Sequence, residues 1–244
     1  NAEQQLEQAG IGTARLDALV LLEDCLGKDR AHLLAHPDLE LTTAQKSKLQ
    51  RQITRRSRHE PLAYIRGHTE FYGREFIITK AVLEPRPESE AIIELLKTLP
   101  VSAAAHLADV GTGSGALGIT AQLELPHLTV ELLEIDDAAI KVAQKNVVIH
   151  TTKINVYKTN LLTGSPGHYD VLLCNLPYVP DDFQINPAAM NEPRIAIFGG
   201  PDGLDIYRRL FEQLQAATWQ PSYILTEALP PQHKKLAHIA KAAG

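Results

Sequence analysis

Apolar residues recur at two different spacings along the chain, and the change between them divides the sequence. Near the start of the chain, Leu16, Leu19 and Val20 follow one another at helical spacing. This spacing predicts a small all-α N-terminal domain, which we place at residues 1–68.

A short run rich in aromatic and β-branched residues comes next. Phe71, Phe76 and Ile77 stand on either side of Gly73, and this composition favours a β-hairpin. We expect the hairpin to form a linker over residues 69–84, followed by a second domain over residues 85–244.

The second domain alternates apolar strands with helical stretches. This order is typical of a parallel sheet wrapped by helices, and right-handed crossovers make an open, doubly wound sheet the economical arrangement. The sequence therefore predicts an α/β fold with a mostly parallel, Rossmann-like sheet. Its five strands are expected at residues 106–110, 129–134, 154–158, 169–174 and 222–227.

Composition and charge exclude some classes of protein. The formal net charge of −5 argues against binding nucleic acid with the whole surface, because phosphate binding depends on lysine and arginine. The apolar stretches are too short to cross a bilayer. The two cysteines, Cys25 and Cys174, have no metal-ligand spacing around them. We expect a cytoplasmic protein with no metal site.

Glycines are concentrated where the first strand of the sheet gives way to a helix. In this turn Gly111, Gly113 and Gly115 alternate with Thr112 and Ser114. Glycine allows unusual dihedral angles and close approach of backbone to a ligand, and the start of a helix offers unpaired N–H groups. The turn therefore predicts a cofactor site, although the glycine spacing also fits a dinucleotide fingerprint.

Four further residues bear on which cofactor binds there. Asp109 precedes the glycines, where its carboxylate would attract the cationic aminoacyl end of S-adenosylmethionine and repel a pyrophosphate. Glu134 ends the second strand and can accept hydrogen bonds from both hydroxyls of a ribose. After the third strand, Asn160 can offer its carbonyl to an adenine amino group, and Leu161 can pack on the adenine ring.

The fourth strand ends in the tetrapeptide Asn175-Leu176-Pro177-Tyr178, at the sheet edge where open α/β sheets bind ligands. A planar nitrogen group could donate one hydrogen bond to the Asn175 side chain and another to the Leu176 carbonyl. Tyr178 could stack on that group. Pro177 would restrict the backbone and hold the two acceptors in place.

Four longer segments carry a more specific pattern. They are residues 60–73 (EPLAYIRGHTEFYG), 82–90 (VLEPRPESE), 192–193 (EP) and 199–208 (GGPDGLDIYR). With the glycine turn and the tetrapeptide, they resemble the release factor glutamine methyltransferases of the HemK type over nearly the whole chain.

This resemblance implies an enzyme that transfers a methyl group from S-adenosylmethionine to the N5 amide nitrogen of a glutamine. The glutamine would lie in the Gly-Gly-Gln motif of a class 1 peptide chain release factor. Residues 111–115, Glu134, Asn160, Leu161 and Asn175 would contact the donor, and residues 175–178 would hold the glutamine. The helical domain would help to grip the release factor. We expect a monomer that contacts neither nucleic acid nor a membrane.

The chain also departs from the family pattern. Leu176 replaces a proline, Glu134 replaces the more usual aspartate, and Asn160 stands where aspartate is common. Because the chain stops at Gly244 after one helix, we expect the two C-terminal strands of the family to be missing from its sheet.

Two alternative functions are compatible with parts of the sequence. Asn-Leu-Pro-Tyr also resembles the tetrapeptide of ribosomal RNA adenine N6-methyltransferases, although those enzymes lack the proline-arginine signature of residues 82–90. The glycine spacing alone would also suit an NAD-dependent oxidoreductase.

Overall fold

The computed structural model describes residues 1–243, and their contacts divide the chain into two compact units. The first unit comprises residues 1–67 together with residues 186–191, and the second comprises the remaining residues. The first unit is helical, as its sequence pattern predicts. Its helices are α1 (Ala2–Gln8), α2 (Ala14–Leu26), α3 (Arg30–Ala35), α4 (Thr43–Arg56) and α5 (Leu62–Arg66).

The first unit is held by a small apolar core and by capped helix ends. Leu6, Leu21 and Ile53 are at most 1% exposed and bring α1, α2 and α4 together. Thr42 caps α4 by accepting a hydrogen bond from the backbone N–H of Gln45, which satisfies one of the N–H groups that a helix start leaves unpaired.

The second unit begins with an antiparallel hairpin of β1 (His68–Phe71) and β2 (Arg74–Ile77). Phe71 and Phe76 are at most 1% exposed, so the predicted aromatic run forms part of a core. The amide of Asn146 also fixes the hairpin, since its Oδ1 accepts from the N–H of Ile77 at 2.7 Å and its Nδ2 donates to the carbonyl of Ile77 at 3.0 Å.

A five-stranded sheet forms the centre of the second unit. Its strands are all parallel and lie in the order β5-β4-β3-β6-β7. The first strand of the sheet in the chain is therefore its middle strand, and the order reverses direction between β3 and β6. The strands are β3 (His106–Val110), β4 (Thr129–Glu134), β5 (Asn155–Lys158), β6 (Val171–Cys174) and β7 (Tyr223–Thr226).

Helices cover both faces of this sheet, as a doubly wound fold requires. On one face, Ala108 of β3 and Leu172 of β6 join a core that also includes Phe211 of α9 and Leu236 of α10. On the other face, α7 approaches β4 closely at Leu132. The helices are α6 (Glu90–Thr98), α7 (Ala116–Glu124), α8 (Asp137–Ile149), α9 (Asp205–Ala216) and α10 (His233–Ala242).

The architecture confirms the predicted α/β fold with a parallel sheet and a helical N-terminal region. The reversal of strand order matters for function, because parallel strands on either side of such a point leave a crevice at their carboxyl ends. Within residues 1–243, no helix is both long enough and apolar enough to span a membrane.

Candidate active site

The glycine-rich turn lies at the carboxyl end of β3, next to the reversal of strand order. The backbone N–H groups of Gly111 and Thr112 donate to the carbonyl of Leu133 at 2.8 and 3.0 Å, which anchors the turn to β4. Gly111 has a φ of +71°, a conformation that favours glycine. A Cβ there would also meet the Leu176 side chain at 3.0 Å, so this turn and the Asn175 loop are in direct contact.

Asp109 is buried beneath the turn, with 1% of its surface exposed. Its Oδ2 accepts from the hydroxyl of Thr112 at 2.5 Å and from the N–H of Gly118 at 2.9 Å. Burial raises the pKa of Asp109 to about 6, and the Glu134 carboxylate adds to the rise, whereas the hydrogen bonds from Thr112 and Gly118 oppose it. The two donors are neutral, so the ionised carboxylate is a buried charge suited to a cationic ligand.

Glu134 bridges the turn and the loop that follows β4. Its Oε2 accepts from the N–H of Gly113 at 2.8 Å, and its Oε1 accepts from the N–H groups of Ile135 and Asp136 at 2.8 and 3.0 Å. Each carboxylate oxygen can accept more than one hydrogen bond. Glu134 therefore fixes the wall of the crevice while keeping acceptor capacity for a ligand.

Asn160 and Leu161 form a tight turn after β5. The backbone groups of Asn160 and Thr163 exchange two hydrogen bonds of 3.1 Å, and Leu161 takes a φ of +57°. The Oδ1 of Asn160 accepts from a guanidinium nitrogen of Arg209 at 2.8 Å. The carbonyl that the sequence assigns to adenine thus already has one donor, and Arg209 stands beside it at the crevice.

The Asn175 loop follows β6 and is hydrogen-bonded, directly or through Ser89, to the start of α6 and the end of β7. The Nδ2 of Asn175 donates to Ser89 Oγ at 2.8 Å, and Ser89 Oγ donates to Glu227 Oε2 at 2.6 Å. The hydroxyl of Tyr178 donates to Glu227 Oε1 at 2.7 Å. Burial and this hydrogen bond to Glu227 raise the pKa of the Tyr178 hydroxyl, so it remains a proton donor at neutral pH.

Most of the predicted site residues line one cavity. Apolar side chains, among them Leu83 and Pro85, form much of the rest of its wall. The predicted residues that line it are Asp109, Gly111, Thr112, Gly113, Ser114, Glu134, Asn160, Leu161, Asn175, Leu176 and Pro177.

Two predicted residues lie outside the lining of the cavity. Gly115 begins α7 with a φ of +85°, and a Cβ there would meet Ile119 and Leu132 rather than open space. Tyr178 is half-buried and directs its hydroxyl to Glu227. Neither residue faces the cavity. Gly115 lies at the start of α7 behind the glycine turn, and Tyr178 holds the Asn175 loop through its bond to Glu227.

Sequence reasoning assigned no role to three polar residues at this site. Ser89 and Arg209 line the cavity, and Glu227 is bonded to Ser89. Glu227 follows the last strand of the sheet, and its place at the carboxyl end of a parallel strand was a usable signal. Ser89 lies within the proline-arginine signature, but its partners are far away in the sequence.

We expect Gly118→Ala to disturb the donor side of the cavity. The new Cβ would lie 2.3 Å from Leu132 Cδ2 and 2.9 Å from Asp109 Cβ, and overpacking of this kind costs about 1–3 kcal/mol. Urea unfolding followed by the fluorescence of Trp219, the single tryptophan, should show a matching loss of stability. Gly167→Ala is the control, because a Cβ there has its nearest neighbours at 3.8 Å. Equal stability of the two variants would contradict the close packing of α7 on β4.

Comparison with known proteins gives two family matches. Residues 1–67 match the PrmC N-terminal domain, and residues 90–192 match the methyltransferase small domain. The release factor glutamine methyltransferase of Coxiella burnetii is 36% identical over 247 residues, which cover 100% of this chain and 89% of the relative. The protein of the same name from Koribacter versatilis is 37% identical, and the match covers 90% of this chain and 82% of the relative.

Solved structures share the fold at low sequence identity. The hMettl16 catalytic domain, solved in complex with a MAT2A 3'UTR hairpin, matches with a TM-score of 0.56 and 17% identity, covering 84% of this chain and 75% of the other. A methyltransferase from Pyrococcus furiosus matches with a TM-score of 0.50 and 17% identity, covering 83% and 86%.

Proposed function

The chain belongs to the family of release factor glutamine methyltransferases, and from this premise we propose that it methylates the N5 amide nitrogen of a glutamine in a class 1 peptide release factor. The glutamine would be that of the Gly-Gly-Gln motif, and the methyl donor would be S-adenosylmethionine. The observation that carries the proposal is the contact between the glycine turn and the Asn175 loop, which places both along one cavity.

The residues present fit this donor. Asp109 offers a buried carboxylate to a cationic aminoacyl end, and its two recorded partners are neutral. Glu134 keeps acceptor capacity for ribose hydroxyls, and a Cβ at Gly113 would have no heavy atom within 4 Å, which leaves room for a ligand at the turn. We propose that residues 111–115, with Asn160, Leu161 and Asn175, complete the donor site.

Positioning of the glutamine is the main task that we assign to this chain. S-adenosylmethionine would supply an electrophilic methyl group on a sulfonium centre. Asn175 Oδ1 and the carbonyl of Leu176 would each accept one N–H of the glutamine amide, which fixes its plane and raises electron density on a poor nucleophile. Pro177 would hold the two acceptors, and Tyr178 would support the loop. The nitrogen would form its bond to the methyl carbon as the bond from that carbon to sulfur breaks, and it would lose one amide proton to water.

We propose that the first unit contributes to release factor recognition and that the second unit carries out methyl transfer. The division into residues 1–68, 69–84 and 85–244 is part of this proposal, as is action as a monomer without contact to nucleic acid. Methylation of ribosomal RNA adenine and NAD-dependent oxidation are not favoured. The relatives that match most of this chain, and most of whose length it covers, are named release factor glutamine methyltransferases.

Methyl transfer to a purified release factor tests the proposal directly. With radiolabelled S-adenosylmethionine, we expect the label to enter a class 1 release factor and to be absent from a variant whose Gly-Gly-Gln glutamine is replaced by alanine. Equal labelling of both proteins would place the methyl group elsewhere. No labelling of either protein under conditions where the donor binds would overturn the proposed function.

A further inference from the structure

Ser89 stands at the N-terminal end of α6, but its hydroxyl does not cap the helix. Serine is common at this position because its oxygen usually accepts from a backbone N–H of the first turn. Here the side chain is buried, with 1% of the residue exposed, and the hydroxyl bonds to Asn175 and Glu227 instead. The Ser89 hydroxyl therefore bonds to the Asn175 loop and to Glu227 rather than to the backbone of its own helix.

The chemistry of these three groups fixes the direction of every hydrogen bond between them. An ionised carboxylate only accepts, so the single hydroxyl proton of Ser89 goes to Glu227 at 2.6 Å. Ser89 Oγ can then only accept from Asn175. The amide atom that faces Ser89 must therefore be the nitrogen Nδ2, which lies at 2.8 Å.

This direction decides what Asn175 offers to a ligand. With Nδ2 bonded to Ser89, the oxygen Oδ1 is the amide atom left to meet a group in the cavity that Asn175 lines. A flipped amide would present two N–H donors instead. The two orientations have nearly the same shape, so packing alone distinguishes them poorly.

We propose that Ser89 and Glu227 are positioning residues that hold the Asn175 oxygen toward the substrate, and that they thereby make the site select a carboxamide over a carboxylate. The inference rests on the proposed function, since it takes the substrate to be a glutamine side chain. A carboxamide has N–H groups to give to Asn175 Oδ1. A carboxylate has only acceptors at neutral pH, and it would face an oxygen with unfavourable charge.

Binding measurements can test this selectivity without turnover. The probes are a purified class 1 release factor and its Gln→Glu variant at the Gly-Gly-Gln motif, each titrated with the enzyme in saturating S-adenosylhomocysteine. We expect wild-type enzyme to bind the glutamine form at least about tenfold more tightly. In Ser89→Ala and in Glu227→Ala we expect this preference to fall by about tenfold. Without the Ser89–Glu227 pair, the Asn175 amide can flip and present Nδ2 to the ligand.

Two variants serve as matched controls. Ser89→Thr keeps a hydroxyl between Asn175 and Glu227, and we expect it to retain the wild-type preference. Ser102→Ala removes the hydroxyl of an exposed serine outside the cavity, so the preference should also persist. Thermal melting of each variant identifies a folding defect. Should Ser89→Ala fail to fold, Glu227→Ala decides the question, since it leaves Ser89 beside Asn175.

The alternative outcomes separate the inference from the proposed function. A structural role for Ser89 would weaken binding of both forms together and leave their ratio unchanged, which would overturn the inference. So would a wild-type enzyme that methylates the release factor but shows no preference for glutamine over glutamate. A wild-type enzyme that binds S-adenosylhomocysteine and neither binds nor methylates the release factor would overturn the proposed function itself, and the inference with it.

Discussion

Asn175→Ala is expected to lower turnover by about 100- to 1,000-fold at saturating donor and release factor, the usual effect of removing one preorganised hydrogen-bonding group from a reacting centre. The variant keeps the Leu176 carbonyl but loses the side-chain acceptor for the second N–H of the glutamine. Donor affinity should change only a few-fold, because Asp109 and Glu134 are untouched. Steady-state rates and calorimetry with S-adenosylhomocysteine measure the two effects separately.

The exposed residue Asn155 provides a matched control for this variant. It lies on β5 and does not line the cavity, so Asn155→Ala should retain wild-type turnover. Undiminished turnover in Asn175→Ala would contradict the role of Asn175 as a substrate acceptor. A large loss of donor affinity with normal turnover would instead make Asn175 a donor contact alone.

The central strands β3, β4 and β6 could be predicted from sequence because most of their residues are buried on both faces. Residues 106–110 and 129–134 form β3 and β4 with the expected bounds, since a continuous apolar run between turn residues leaves little choice of element. At β5, β6 and β7 the predicted ends extend beyond the observed strands. The extra residues, such as Asp170 and Ser222, still form hydrogen bonds at the sheet margin, so the error concerns where pairing ends.

The polar network behind Asn175 could not be predicted in the same way. Ser89 and Glu227 are separated by 138 positions, and no local pattern connects the start of α6 with the end of β7. Their meeting depends on the strand order, which places β7 next to β6. Only once that order is known can Asn175 and Glu227, at the ends of neighbouring strands, be expected to share Ser89 as a hydrogen-bond partner.

The sequence also could not show which residues of a motif face the cavity. The glycine motif identifies Gly115 as readily as Gly113, but the two differ in the structure: a Cβ at Gly113 would enter open space, whereas one at Gly115 would meet Ile119. Conversely, Arg209 faces the cavity although no sequence motif includes it. It stands on α9, 49 positions from Asn160, and reaches the predicted adenine subsite through a hydrogen bond.

The buried charge of Asp109 is expected to have opposite effects, since it opposes folding but favours binding of a cationic donor. A pKa held near 6 instead of near 4 means that, between about pH 4 and 6, the carboxyl keeps its proton in the folded protein while the unfolded chain has lost it. Stability from this group is therefore greatest below pH 4 and falls as the pH rises from about 4 to 6. Above pH 6 the cost of the buried charge amounts to up to about 3 kcal/mol.

We expect Asp109→Asn to raise the unfolding free energy of the donor-free protein by about 1–3 kcal/mol at pH 7.5, since a neutral amide can still accept from Gly118. The same change should weaken S-adenosylmethionine binding by about 10- to 100-fold, because a charge-assisted contact with the cationic donor is lost. In wild-type protein, donor affinity should also fall as the pH drops below about 6 and Asp109 takes up a proton, and the variant should lack this dependence. Calorimetry between pH 5 and 8 measures it.

The exposed residue Asp182 allows the effect of net charge to be separated from that of the buried site. Asp182→Asn removes the same charge from the surface, and we expect it to change neither stability nor donor affinity by more than a few tenths of a kcal/mol. An Asp109→Asn variant that loses stability without donor would show that the carboxylate is compensated inside the fold. Unchanged donor affinity in that variant would place the cationic end of the donor elsewhere. Opposite shifts in stability and affinity, confined to position 109, are the expected result, because one buried charge is unfavourable alone and favourable beside a cation.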